Sequence, residues 1–302
     1  MELRLTGLHL LLTYQCLYEC DHCFVWGSPR QSGTMTLDDI REMLRQAHGL
    51  GTVRWIYFEG GEPFLYYGTL LKAATEAADL GFKVGIVSNA YWATSPADAR
   101  EYLRPFAGKV HDLSLSADLY HFDPRVSRQV EYARAAAAEL DIPNDVMSVA
   151  QPEQTGCAEA VGQLPPGESA VMYRGRAAAV LAPRARRSPW AAFGECPHEK
   201  LQAPGRFHVD AFGNLHVCQG IVAGNLFATP LATICANYDP TPHPVIGPLL
   251  AGGPAELVRR YELAPEPEYA DACHLCYEAR RQLRDRFPAI LAPDQMYGVG
   301  EG

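Results

Sequence analysis

The sequence predicts a mixed α/β protein: a partial (β/α)6 TIM-like barrel followed by a small cysteine-rich C-terminal unit. Three observations carry this. Up to about residue 175, short apolar runs alternate with helical stretches, the pattern of a parallel sheet with crossover helices. Several of the runs are largely apolar, as strands covered on both faces are. Beyond Gly175 the composition turns to Gly, Pro and Cys and the periodicity fades. The division is expected between residues 1–178 and 179–302.

The elements follow in order. Leu8 to Tyr14 reads as the first strand, and Thr36 with Asp39 three residues on has capping-box spacing for the helix after it. Val53 to Glu59 is the second strand. Gly81 stops the next helix, and Phe82 to Ser88 is the third strand. Ser95 before Pro96 opens another helix, and Val110 to Ser116 is the fourth strand. Asp123 before Pro124 opens the next helix, and Val146 to Ala150 and Ala170 to Tyr173 complete six strands. Six β/α units are too few for an eight-stranded closed barrel, so the sheet is expected to stay open. Its chemistry belongs at the C-terminal ends of the strands. Pro183, Arg184, Arg186, Arg187, Ser188 and Pro189 read as a linker to the second unit.

Composition narrows the function. With 302 residues, 48% hydrophobic and 20% charged, the chain buries sizeable cores. Lys plus Arg at 26 against Asp plus Glu at 35 gives a net charge of −9, which argues against a general grip on nucleic acid. Leu8 to Leu12 is too short for a signal core and lacks small cleavage-site residues after it. The longest charge-free run, Ala211 to Tyr238, is broken by Gly213, Asn214, His216 and Pro230, so no membrane span is expected. Nine cysteines cannot all pair, and a cytoplasmic, reducing setting is the expectation.

Directly after the first strand stand Cys16, Cys20 and Cys23, three thiols in C-x3-C-x2-C spacing. Closed zinc sites take four ligands, and this local set stops at three unless His22 completes it. Three thiolates fit a [4Fe-4S] cluster with one iron open to an outside ligand. Gly60-Gly61-Glu62-Pro63 follows the second strand, where a glycine pair admits close backbone approach and Glu62 offers acceptors for an ammonium group.

The cysteine motif and the Gly-Gly-Glu-Pro segment, each after its strand, resemble the radical S-adenosylmethionine superfamily. The resemblance spans roughly residues 5 to 178. It implies an open iron that chelates S-adenosylmethionine and an electron that cleaves it to a 5'-deoxyadenosyl radical, which takes hydrogen from substrate carbon. It also implies a flavodoxin- or ferredoxin-type reductase. By the same resemblance Ser88, Asn89, Ser114 and Ser116 are contacts to the cofactor's ribose or carboxylate, and His22 and Phe24 flank the adenine; each is equally an ordinary strand-end or packing residue. Asp118, Tyr120, His121, Arg125 and Arg128 form a polar cluster near the cofactor or substrate, or a solvated helix start.

Cys196, Cys218, Cys273 and Cys276 form a second set in the C-terminal unit, and Gly213 to Cys218 reads as a hairpin delivering a thiol. Four thiols close a metal site. The arrangement resembles the Twitch subdomain, the one-cluster relative of the SPASM domain, which implies one auxiliary [4Fe-4S] cluster; structural zinc stays open. Tyr173 to Ala177 resembles the segment that joins barrel to auxiliary domain. Arg280, Arg281, Arg284 and Arg286 balance an anionic cluster or face solvent. Cys157 reads as a core thiol. Cys235 is a core residue, a further ligand, or a hydrogen-atom donor that would point to epimerisation.

The expected activity is maturation of a ribosomally made peptide by crosslinking, epimerisation or oxidation. The chain begins almost at its first strand, leaving no room for an N-terminal leader-binding domain, which weighs against the peptide reading unless the peptide binds a separate leader-peptide-binding protein or the barrel itself. The alternatives are a dehydrogenase or epimerase of a small polar metabolite such as an amino sugar, and a non-enzymatic iron-sulfur or zinc protein.

Overall fold

A computed structural model describes residues 3–121, 124–153 and 168–299, with side chains left undescribed at 124–127. Its frame is a run of parallel strands: β1 (Gly7–Thr13), β2 (Trp55–Gly60), β3 (Lys83–Ser88), β4 (Val110–Ser116), β5 (Asn144–Val149) and β6 (Glu168–Ser169). Between them run α1 (Leu37–Leu50), α2 (Tyr67–Asp79), α3 (Pro96–Leu103) and α4 (Pro124–Glu139). This is the six-stranded open barrel that the alternating pattern predicts.

The helix signals operate as expected. Thr36 Oγ1 accepts from the Asp39 amide at 3.1 Å while the Asp39 carboxylate accepts from the Thr36 amide at 2.8 Å, a complete capping box. Ser95 caps α3 with Pro96 in its first turn, and Gly81 ends α2 with φ +86°. Asp123 lies outside the described residues. One face of the strands, with Leu8, Leu10, Ile56, Phe58, Val84, Ile86, Leu113 and Leu115, joins Ile40, Met43 and Leu44 of α1 and Leu70 and Ala74 of α2 in one buried core.

Two expectations need correction. The sixth strand is Glu168–Ser169, and Ala170 to Tyr173 is not a strand. The chain turns there, with the Arg174 amide bonded to the Met172 carbonyl and the Tyr173 amide spent on the Asp271 carboxylate. The linker stretch carries a two-residue strand, β7 (Ser188–Pro189).

Beyond it, β8 (Arg206–Val209) pairs in parallel with β1, and β9 (Asn214–Cys218) and β10 (Ile221–Asn225) follow antiparallel. The sheet therefore runs β10-β9-β8-β1-β2-β3-β4-β5-β6, and the C-terminal hairpins extend the barrel sheet. The short α5 (Arg176–Val180) precedes β7, and after β10 come α6 (Leu231–Ala236), α7 (Ile246–Tyr261), kinked at Gly252 and Gly253, β11 (Glu268–Tyr269) paired with β7, and α8 (Ala272–Leu283). Among the described residues no helix is long and apolar enough to cross a membrane.

Candidate functional site

The loop leaving β1 holds the first three thiols at the C-terminal end of the barrel strands. Cys16 and Cys20 are buried and Cys23 is partly so. Backbone amides serve the sulfurs: Tyr18 donates to Cys16 Sγ at 3.4 Å and Gly27 to Cys23 Sγ at 3.2 Å, while Asn89 Nδ2 reaches Cys16 Sγ at 3.6 Å. Burial pushes the Cys16 thiol up to about 12, and burial with the charge of Cys23 and Cys16 raises Cys20 as well. Such thiols become thiolates when a cation shares their space. His22 is not their fourth member, because its Nε2 meets Asp118 Oδ2 at 3.0 Å. The set fits a cluster held by three protein thiolates.

Gly60 to Pro63 locks onto this loop through the main chain. The Gly61 amide donates to the Thr13 carbonyl at 2.7 Å and the Glu62 amide to the Gln15 carbonyl at 2.8 Å. A Cβ on Gly60 or Gly61 would overlap those same carbonyl oxygens, so the glycine pair is required first by contact between the loops. Glu62 is fully buried and caps the turn that begins at Pro63. Its carboxylate accepts from the Phe64 amide at 3.0 Å, Ser88 Oγ at 3.0 Å and the Asn89 amide at 2.8 Å. It therefore ties the end of β2 to the end of β3. Desolvation raises its pKa to about 7 despite these donors.

The other candidates gather around the same mouth. Asp118, just past β4, accepts from His121 Nδ1 at 2.8 Å, the Tyr120 amide at 3.1 Å and His22 Nε2. Those imidazoles hold its carboxyl low against its burial. The His22 ring lies 4.7 Å from that of Tyr120. Ser114 Oγ donates to Asp112 at 3.1 Å, and Ser116 lies on the same strand face. Phe24 lies under the Arg174 guanidinium at 5.6 Å. Arg128 is exposed, and the Arg125 side chain lies outside the described residues.

Sequence reasoning missed Arg176. Its guanidinium is buried and donates to the carbonyls of Cys20 and Gly27, both at 3.0 Å, clamping the thiol loop.

The second set also converges. One pocket is lined by Cys196, Cys218, Cys273 and Cys276 with Arg174 and Arg280. The β8–β9 hairpin turns at Gly213 and delivers Cys218 as the last residue of β9, while α8 presents Cys273 and Cys276 from its first turns. Burial, with the charge of the neighbouring thiols, pushes Cys276 up to about 12. Arg174 Nη1 donates to Cys218 Sγ at 3.2 Å, and buried Arg280 bonds the carbonyls of Cys276 and Gln219. Arg281 pairs with Glu278, Arg284 with Asp294, and Arg286 stacks on Tyr261. Of the four expected arginines, Arg280 alone lines the thiol pocket.

Cys235 is not brought to either set. It is 1% exposed in α6, which packs on α1 in the main apolar core. Cys157 lies outside the described residues.

Comparison with known proteins fits this geometry. Residues 10–139 match the Radical SAM superfamily model. The chain is 31% identical over 111 residues to "Putative peptide biosynthesis protein YydG" of Bacillus subtilis (strain 168). That alignment covers 36% of this chain and 35% of the relative, so it spans about a third of the relative's length. Two solved structures share the fold at a TM-score of 0.52. BtrN in complex with AdoMet and 2-DOIA is 16% identical, covering 78% of this chain and 84% of its own. Native anSMEcpe with bound AdoMet and Cp18Cys peptide is 13% identical, covering 95% and 97%. The fold is thus that of the radical SAM partial barrels, which implies S-adenosylmethionine and a [4Fe-4S] cluster. The similarity to the radical SAM superfamily spans residues 10–139, from β1 through α4, the stretch that holds all three thiols of the first set.

Proposed function

We propose that this chain is a radical SAM enzyme that matures a ribosomally made peptide. The observation that carries the substrate class is the 31% identity to a relative named for peptide biosynthesis. The two fold neighbours, one titled with 2-DOIA and one with a peptide, are equally similar and do not decide it. When bound, the cluster and S-adenosylmethionine supply a 5'-deoxyadenosyl radical able to take hydrogen from carbon.

The chain's own residues divide the work. Cys16, Cys20 and Cys23 hold the cluster, and Arg176 fixes their loop. Glu62 positions the strand ends, leaving Ser88, Asn89, His22 and Phe24 around the cofactor and Ser114 and Ser116 on the neighbouring strand. Cys196, Cys218, Cys273 and Cys276 hold an auxiliary [4Fe-4S] cluster, a reading supported by their convergence on one pocket with two buried guanidinium groups. That cluster is an electron acceptor suited to oxidation or crosslinking. Burial of Cys235 within α6, against the apolar core, argues against it as the hydrogen donor of an epimerase. A flavodoxin- or ferredoxin-type reductase supplies the electron.

Anaerobically reconstituted, reduced protein incubated with S-adenosylmethionine yields 5'-deoxyadenosine if the reading holds, whereas an electron carrier yields none. Where a small peptide is encoded in a neighbouring gene, adding that peptide gives a product of changed mass. An unchanged peptide, with an amino sugar oxidised instead, overturns the substrate class.

A further inference from the structure

Three strands bring two imidazoles and a carboxylate together on the barrel's inner face. His9 of β1 stands opposite His208 of β8, and Glu59 of β2 stands opposite Leu11, two residues further along β1 on the same face. His9 Nδ1 lies 3.4 Å from Glu59 Oε2, and His208 Nε2 lies 3.1 Å from Glu59 Oε1. One donor atom from each residue falls within 4.8 Å of the other two. The side chains are largely buried, at 18%, 13% and 9% exposure for His9, Glu59 and His208. The His9 ring is held by stacking on Tyr57 at 4.6 Å, and Tyr57 is anchored in turn by Asp112 at 2.8 Å. His9 and Tyr57 also line an open cavity with Gly7, Trp55, His198 and Glu199.

A second cluster of the same residue types shows what differs. Asp118 receives three donors at 2.8 to 3.1 Å, so His22, Asp118 and His121 are complete as a hydrogen-bonded group. Glu59 is not. Its Oε1 is shielded from solvent and, among the described residues, has no hydrogen-bond donor in bonding geometry, although His208 Nε2 is close. Its Oε2 makes only the 3.4 Å contact, long against the roughly 2.7–2.9 Å of a charge-assisted bond. The spacing suits a different arrangement. Donors about 2.0–2.1 Å from a zinc-class ion at tetrahedral corners stand about 3.3–3.4 Å apart. The two nitrogens now approach different oxygens of Glu59 at 3.4 and 3.1 Å and lie with one of them within 4.8 Å, so they reach a shared ion by a small inward shift of the side chains. Two imidazoles and one carboxylate are the borderline donors that such ions take, with a further position left for water or substrate.

We propose that His9, Glu59 and His208 bind a divalent transition-metal ion of the zinc class, whose remaining coordination position faces the cavity beside His9 and takes a carbonyl or carboxylate oxygen of the substrate. Its ligands belong to neither cysteine set, although the cavity shares His198 and Glu199 with the second thiol pocket, and the site does not depend on the substrate being a peptide.

The test uses the full chain with its cysteine sites first filled by anaerobic reconstitution with iron and sulfide, then titrated with Co2+. About one further equivalent binds, showing the visible d–d bands of nitrogen and oxygen ligands without sulfur-to-cobalt charge transfer, and Zn2+ displaces it. Glu59→Gln, which keeps the side chain's shape, weakens binding by more than the roughly ten- to hundredfold that loss of an outer-shell partner brings. Iron content and circular dichroism check that the variant folds. If it does not, X-ray absorption on wild type loaded with Zn2+ decides alone: imidazole and oxygen neighbours support the site, and sulfur neighbours overturn it. No metal beyond the cysteine sites, or unchanged affinity in folded Glu59→Gln, also overturns it.

Discussion

Arg174 and Arg176 stand two residues apart and serve opposite cysteine sets. Arg174 Nη1 donates to Cys218 Sγ at 3.2 Å, while Arg176 donates to the carbonyls of Cys20 and Gly27 at 3.0 Å each. Gly175 between them has φ +61°, and a Cβ there would overlap the backbone of Cys23 and Phe24. The segment that leaves the barrel thus braces both sites at once.

Arg176→Met keeps the apolar stem but loses both donors, so the thiol loop loosens. We expect lower iron occupancy at the first site and 5'-deoxyadenosine formation slowed by about tenfold or more. Arg174→Met spares that step. It lowers the reduction potential of the second cluster, because a hydrogen bond to a cluster sulfur favours the reduced state. Redox titration followed by electron paramagnetic resonance separates the two variants; equal effects on both clusters would refute the division of roles.

Cys16→Ala and Cys273→Ala test the two sets separately. The first removes one of three ligands and abolishes S-adenosylmethionine cleavage, with loss of about four irons per chain. The second keeps cleavage to 5'-deoxyadenosine, loses the auxiliary metal and lowers the thermal midpoint, since that site joins α8 to the end of β9. Zinc in place of iron and sulfide at the second site, measured by elemental analysis, would replace the auxiliary cluster with a structural ion.

Much of the frame was legible because it rests on local signals. The capping box at Thr36, the Ser95 cap and the apolar runs from Leu8, Val53, Phe82 and Val110 act within a few residues, and the cysteine spacing is itself local. What escaped depends on long-range pairing. Nothing in Arg206 to Val209 announces that it will lie beside β1, although the site of His9 and His208 depends on that register. Arg176 reads as one cation in a basic stretch until the fold seals it under the thiol loop. Glu62 stands at the end of β2, but its oxygens accept from protein donors, Ser88 Oγ and the Asn89 amide, that only the packing of β3 brings near.

Cys235→Ala isolates the one thiol among the described residues that is assigned to neither set. The residue is buried in α6, where the helix packs on α1. Removing its sulfur leaves a small void, at a cost of about 1 kcal/mol in stability. Both 5'-deoxyadenosine and product form at the wild-type rate. Product loss with cleavage intact would restore Cys235 as the hydrogen donor and move the outcome to epimerisation.

Glu62 gives the pH dependence its sign. Burial raises its carboxyl to about 7 in the folded chain, against 4.5 ordinarily. The native state therefore binds a proton that the unfolded state releases between these values, and stability falls as pH rises across them. The contribution is fully present below about 4.5 and is lost as pH passes through about 7, amounting to about 3 kcal/mol. Glu62→Gln cannot titrate, and its amide group must face at least one of the donors from Phe64, Ser88 and Asn89, so the variant is less stable throughout. Urea unfolding of the metal-free chain under anaerobic conditions reads the difference. The gap between wild type and variant should narrow from pH 5 to pH 8, and a gap that widens would mean that the buried carboxylate is ionised and held by its three donors.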